Sequence, residues 1–466
     1  VAVAQAAEAE LDGPGQAAVL DRLEAEHDDL RAALAWGTSG GDPEPALRLA
    51  TALGRFWEVR GHLREGRAWL EAALTAGGGG DWPGLRATAL NWAAVLAQHQ
   101  GDYAVAGGLY EHSLALRRRL DDRLGQSAAL VGVGNLAALQ GRLGPARAQF
   151  EEAVAIGRDL DQPRVVAAAL TNLGWVAHAE GDLAGARRLY EEALQVQRGD
   201  GDGDGDGVGE GDGHGTALVL ANLGDLALAQ GDLDTASALQ AEGLALRRSL
   251  GDRSGVADSL AALGRVALAQ GDRARARALH GEGLAERRRS GDRPGIPASL
   301  SALAELSRLD GDPATAASLL EEALAVATDL DDRHCATSAL LHLARLARDA
   351  GDAARADALY RQASPFGDAT PGDGDVLPTA NTATWLEGLG AIAVAEGRAD
   401  RAARLLGAAD ALRQAVGAPL PAHEAADRND AVAGAAAALG EAGFRAAFAD
   451  GRAMPLAAAA RLATAP

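Results

Sequence analysis

Apolar residues in this chain recur at spacings of three, four and seven, and the whole pattern returns every 40 residues over most of its length. In ALTNLGWVAHAEGDLAGARRLYEEALQVQR, Leu170 and Leu173 stand eleven and eight residues before Gly181, with Gly174 and Ala177 at seven and four. After the glycine come Ala186, Tyr190 and Ala193, at five, nine and twelve. These spacings place the named residues on one face of each of two helices, joined by a turn at Gly181 and Asp182. The turn glycine recurs as Gly61, Gly101, Gly141, Gly181, Gly231, Gly271, Gly311, Gly351 and Gly397.

Two framed positions stay small. Five residues after the glycine stand Ala106, Ala146, Ala186, Ala236, Ala276, Ala316, Ala356 and Ala402. Seven before it stand Ala94, Gly134, Gly174, Gly224, Gly264, Ala304, Ala344 and Gly390. Small residues recur there because paired helices cross closely, and a large side chain would force them apart at a cost of ~1–3 kcal/mol. A hairpin of this kind buries its apolar face only by stacking on neighbours. The pattern therefore predicts an all-α, right-handed superhelical solenoid of about nine helical hairpins.

The ends and two interruptions define the organisation. Residues 1–46 read as a helical connector with a helix over Leu20–Trp36, residues 47–422 as the repeat array, and residues 423–466 as an Ala-rich helical cap. A cap is expected because a bare last repeat would expose apolar surface. The spacing from Gly181 to Gly231 is 50 residues, the excess lying in GDGDGDGVGEGDGHG near 199–215, and from Gly351 to Gly397 it is 46, with SPFGDATPGDGDVLP near 364–380. Gly- and Pro-rich segments of this kind cannot hold helix and predict solvated loops. The six residues by which each unit exceeds 34 are expected to lengthen the second helix and its turn.

Composition agrees with closely packed helices. Apolar residues make up 48% of the chain and aromatics only 3%. Alanine, which dominates, costs no side-chain entropy and lets helix axes approach. The net charge is −21, and every one of the 44 basic residues is arginine. That balance opposes a nucleic-acid surface, which needs a basic excess. Cys335 stands alone and cannot form an internal disulfide, which fits a reducing, cytoplasmic compartment. No apolar run is long enough to span a membrane, and the first residues lack the basic start of a signal peptide. The chain begins at Val1 and its only methionine is Met454, so we expect it to be a piece of a longer polypeptide.

Residues that could carry chemistry are few. Asp200, Asp202, Asp204 and Asp206 alternate with glycine as calcium ligands do. The twelfth position of that loop is Gly211, where a bidentate Glu is required, so a solvated insertion is the better reading. Arginines cluster where second helices end, at Arg117–Arg119, Arg247–Arg248 and Arg287–Arg289. There they offset the helix macrodipole, and Asp121, Asp122, Asp252 and Asp292 neutralise any field that would attract phosphate. The ten histidines show no paired metal-ligand spacing, and His334 and Cys335, adjacent on a helix, point to different sides. A Walker-type loop cannot exist without lysine, and no G-x-S-x-G elbow is present. Neither catalytic residue, nor cofactor, nor metal is expected.

What remains are the first-helix positions six and three before each glycine, which face outward. These are Asn135, Trp175, His178, Asp225, Arg265, Glu305, Arg308, Arg345 and Arg348. Early repeats offer Trp and polar groups, later ones arginine. Such a face suits a protein or peptide ligand with acidic character, through charge-assisted contacts.

The repeat resembles the tetratricopeptide repeat over roughly Ala46 to Pro421, in its large residue, Leu-Gly or Leu-Ala pair, and later Ala-aromatic-Ala spacing. It departs from that family in placing Leu at the first large position (Leu90, Leu130, Leu170, Leu220, Leu260, Leu300, Leu340 and Leu386) and in lacking the proline that often ends the second helix. Three further stretches, LDRLEAEHDDLRAALAW, ALRLATALGRFWEVRGHLREGRAWLEAAL and RAARLLGAADALRQAVGAPLP with LGEAGFRAAFADGRAM, are similar to the C-terminal helical arm of bacterial LuxR-type and related signal-transduction ATPase regulators. The resemblance implies an arm that senses an inducer or partner and restrains or releases an ATPase. It supplies no catalytic position, since neither a nucleotide loop nor a DNA-reading helix pair lies in the sequence. The expected function is a protein-interaction scaffold in such a regulator, with a free-standing peptide-binding adaptor as the alternative.

Overall fold

A computed structural model describes residues 1–11, 16–77, 82–199, 213–364, 379–416, 420 and 422–465. Among the described residues there are 24 α-helices and no strand. Each framed glycine falls between two of them. Pro83–His99 and Tyr103–Arg119 flank Gly101, Arg123–Leu139 and Leu143–Asp159 flank Gly141, and Arg253–Ala269 and Arg273–Ser290 flank Gly271. Paired helices are nearly equal in length, 17 and 18 residues at Gly271, so the length of the unit is not concentrated in the second helix as expected.

The Gly–Asp pair works as a stop followed by a start. The framed glycines have φ between 70° and 84°, a left-handed conformation that glycine adopts without a steric penalty. In several units the aspartate then caps the second helix: Asp272 accepts from the Arg275 amide at 2.9 Å and Asp352 from the Arg355 amide at 3.0 Å. A second left-handed residue closes the repeats of Gly101, Gly141, Gly231, Gly271 and Gly311 at a position the sequence pattern did not mark. Asp121, Asp161 and Asp331 take it in some repeats and Gly251 and Gly291 in others. Asp tolerates this region because its short side chain bonds locally.

The small framed positions face the residue nine after the glycine. A Cβ on Gly134 would stand 2.5 Å from the Phe150 ring, and one on Gly174 2.5 Å from Tyr190. The same seat is taken by Gln240 against Gly224 and by His280 against Gly264. A glycine here admits a ring or a flat polar group between the paired helices.

The chain divides into two compact units, each with its own core. The first comprises residues 1–138, 143–306 and 326–332. Its start is not one helix over Leu20–Trp36 as expected. Gln16–Ala25 and His27–Thr38 break at Glu26, and Leu20, Leu23 and Leu34 pack with Phe56, Trp57 and Leu70. Farther along, Leu130, Phe150, Leu170, Tyr190 and Leu223 form a continuous stack.

The second unit comprises residues 139–142, 307–325 and 333–466. Tyr360, Trp385, Leu386 and Leu405 centre its core, with Ala459, Ala460 and Ala463 of Leu456–Thr464 against them. Trp385 Nε1 donates to the Tyr360 carbonyl at 2.8 Å. Ala399–Ala415 meets Ala422–Arg452 backbone to backbone: a Cβ on Gly407 would stand 2.1 Å from the Phe448 carbonyl oxygen, and one on Gly451 2.1 Å from that of Arg404. Ala422–Arg452 itself bends at Gly440.

One arginine of each second-helix cluster, Arg117, Arg247 or Arg287, turns inward. Arg247, 7% exposed, donates to the Gly255 carbonyl at 2.7 Å and Ser259 Oγ at 3.0 Å. Arg287 pairs with Asp292 at 2.6 Å and with Asp258. Exposed arginines near the ends of second helices link one repeat to the next in a ladder: Arg118 to Glu152 at 2.9 Å, Arg158 to Glu192 at 2.8 Å and Arg248 to Glu282 at 2.9 Å. These residues tie turns and repeats together, beyond the dipole role read from sequence. The acidic loop with Asp200, Asp202, Asp204 and Asp206, and most of the second insertion, lie outside the described residues.

Candidate partner-binding surface

The nine outward positions are carried on first helices whose opposite faces are packed. None of the nine is fully buried. In the first unit, Trp175 is 41% exposed, which is costly for a large aromatic ring left in water. His178 sits one helical turn further along and half-buried. Its pKa is lowered, chiefly by burial, against a smaller opposing pull from the nearby Asp225 carboxylate. Asp225 in turn accepts from Gln240 at 3.2 Å and from Arg265 at 2.8 Å. Trp175, His178, Asp225 and Arg265 thus form a continuous patch across successive repeats. Asn135 and Glu305 are half-buried on their own helices.

In the second unit the three arginines are each engaged by a carboxylate. Arg308 lies 3.6 Å from Asp349. Arg345 and Arg348 converge on Asp427, at 3.6 and 2.9 Å. They line an open cleft with Tyr360, Thr384, Glu387 and Asp427. Burial pushes the Tyr360 phenol up to about 12, so it stays a neutral hydrogen-bonding group. Glu387 is bound by Arg413 through two contacts of 2.8 and 2.7 Å.

Sequence reasoning missed Asp427, Glu387 and Thr384. Asp427 lies outside the repeat frame, so the periodicity carries no signal for it. Glu387 and Thr384 lie on the first helix of the Gly397 hairpin, at positions other than the two chosen. The arginine-ended face is therefore already charge-matched from within, and an acidic ligand would have to replace internal carboxylates.

Comparison with known proteins places the repeat. Residues 119–290 match the MalT-like TPR region, and residues 295–366 match a tetratricopeptide repeat model. An HTH-type transcriptional regulator of Mycobacterium tuberculosis is 47% identical over 53 residues, 11% of this chain and 6% of the regulator's length. The chain thus matches only a small part of the curated relatives. Among solved structures, a Rap protein complexed with competence and sporulation factor is 12% identical, with a TM-score of 0.46, covering 75% of this chain and 98% of that one. A signal transduction ATPase with a tetratricopeptide repeat sensor from Pyrococcus horikoshii is 14% identical, with a TM-score of 0.42, covering 75% of this chain and 50% of that one. Residues 119–290 and 295–366 belong to the tetratricopeptide repeats, the first stretch to their MalT-like form.

Proposed function

We propose that this chain is a non-catalytic protein-interaction scaffold, acting as the sensor or regulatory arm of a bacterial transcriptional regulator ATPase in the cytoplasm. A protein or peptide docks on its first-helix faces, with Asn135, Trp175, His178, Asp225, Arg265 and Glu305 as contacts in the first unit. Arg308, Arg345 and Arg348 serve in the second. The observation that carries this reading is the exposure of Trp175 within a patch of paired charges, while the framed positions around it are consumed by packing. Exposed aromatic rings beside adaptable polar groups are the composition of interface anchors.

The test is capture of partners by the chain, followed by affinity measurement with each captured protein or peptide. Trp175→Ala should weaken binding by tenfold or more, as loss of an aromatic anchor does. Unchanged affinity in Trp175→Ala and in the triple variant Arg308→Ala, Arg345→Ala, Arg348→Ala would remove this surface from the function. The coding sequence upstream of Val1 separates arm from adaptor. An in-frame glycine-rich phosphate loop supports the regulator, and a nearby start codon without such a domain supports the free-standing adaptor.

A further inference from the structure

Three chemistry-bearing side chains meet in the first unit, away from the first-helix faces. Glu24 ends Gln16–Ala25, His27 begins His27–Thr38, and His62 follows the Gly61 turn. His62 Nε2 lies 3.2 Å from both Glu24 oxygens, and His27 Nδ1 is 3.9 Å from Glu24 Oε1. One ligand atom from each of the three residues lies within 4.8 Å of the others. We propose that Glu24, His27 and His62 form a binding site for a zinc-class divalent cation, with Glu65 as the supporting carboxylate behind His27.

Four-coordinate zinc with bonds of about 2.0–2.2 Å holds its ligand atoms roughly 3.3 Å apart. The His62–Glu24 pair already has that separation. The remaining closure, up to roughly 1.5 Å between the two imidazoles, falls to His62, whose side chain is 22% exposed, and Glu24, 43% exposed, can follow by changing rotamer. His27 stacks edge-on against Phe56, ring centroids 5.3 Å apart, and its ring centroid is 4.6 Å from that of His62.

The surroundings of His27 decide which of its ring nitrogens faces Glu24 and His62. His27 is 6% exposed, and its Nε2 is buried with no hydrogen-bond partner among the described residues. Nε2 faces Glu65 Oε1 at 3.4 Å. Glu65 is held in place by Arg31 through two 2.6 Å contacts and by Trp69 Nε1 at 3.2 Å. A carboxylate on one side of an imidazole places the proton on that nitrogen and leaves the other to bind a metal. The free lone pair of His27 then falls on Nδ1, on the side of Glu24 and His62. Of the nearby arginines, Arg31 is bound to Glu65, and Arg60, 4.0 Å from Glu24, is paired with Asp21. Two imidazoles and one carboxylate suit zinc and leave a fourth position for water.

The experiment is a titration of the whole chain with Co²⁺, reading the intense visible absorption of tetrahedral cobalt, followed by displacement with Zn²⁺. One equivalent of Co²⁺ should develop the band and Zn²⁺ should bleach it. Glu24→Gln and His62→Gln, both near the surface, should each weaken binding at least tenfold with the helical circular dichroism unchanged. Glu65→Gln should weaken it 10- to 100-fold, as loss of a supporting carboxylate does. The proposal is overturned by absence of the band at stoichiometric Co²⁺. It is equally overturned by a band that survives in the Glu24→Gln, His62→Gln double variant, since cobalt would then be held by other histidines.

Discussion

Asp427 accepts a hydrogen bond from Arg348 at 2.9 Å and lies 3.6 Å from Arg345, so one carboxylate outside the repeat frame neutralises two first-helix arginines. A carboxylate of an acidic ligand would compete for the same donors. Asp427→Asn is therefore expected to raise the affinity of the chain for a short oligoglutamate peptide by about tenfold, the worth of one charge-assisted contact. Fluorescence anisotropy of a labelled peptide reads this directly. Equal affinity in the wild type and the variant means the arginines are purely structural.

The fork between Arg413 and Glu387 is nine-tenths buried on both sides. Removing one partner leaves a buried charge uncompensated, at roughly 3–5 kcal/mol. Glu387→Gln should lower the urea midpoint of the second unit sharply. Replacing both, as Glu387→Leu with Arg413→Met, should cost much less. If the double variant is no better than the single, specific geometry rather than charge compensation holds the site.

His280 gives the first unit a dependence on acid. Burial is the main cause of its pKa falling to about 4, with the Arg265 charge adding to it. The unfolded chain binds the proton near pH 6.5 and the folded one only near 4, so stability is full above 6.5 and declines as pH falls between the two. The loss should reach roughly 3 kcal/mol. Gln240 occupies the equivalent seat one repeat earlier, donating to the Ala221 carbonyl at 2.9 Å. His280→Gln should therefore fold and flatten this limb of the stability–pH curve, and an unchanged curve would assign it to another group.

Glycine is required at Gly174 but not at Gly281. A methyl on Gly174 would meet the Tyr190 ring at 2.5 Å, whereas one on Gly281 would meet nothing within 4 Å. Gly174→Ala should destabilise by ~1–3 kcal/mol through overpacking. Gly281→Ala, in the middle of Arg273–Ser290, should stabilise by up to ~1 kcal/mol through reduced chain entropy. Thermal unfolding of the two variants checks both signs.

Local physics made much of the fold legible. The period announced the hairpins, since helical spacing and a left-handed glycine are decided within one unit. The Leu–Gly pair at Leu173 and Gly174 was readable because its partner, Tyr190, stands in the same unit at a fixed offset. The break at Glu26 was not readable, because the stretch over Leu20–Trp36 keeps helical spacing on both sides of it. The Arg118–Glu152 ladder escaped notice because its partners are 34 residues apart and individually ordinary.

By itself, then, the sequence determined the repeating α-helical hairpins, the closely packed crossings and the outward placement of residues such as Trp175, because each follows from spacing along one chain segment. Only the tertiary structure decided which charges meet. It brought Asp427 from beyond the repeats onto Arg345 and Arg348, and it set His27 beside His62, though 35 residues separate them. Periodicity specifies which face of a helix a residue occupies. Which distant side chain shares that face depends on how successive helices stack, and that is a property of the packed chain alone.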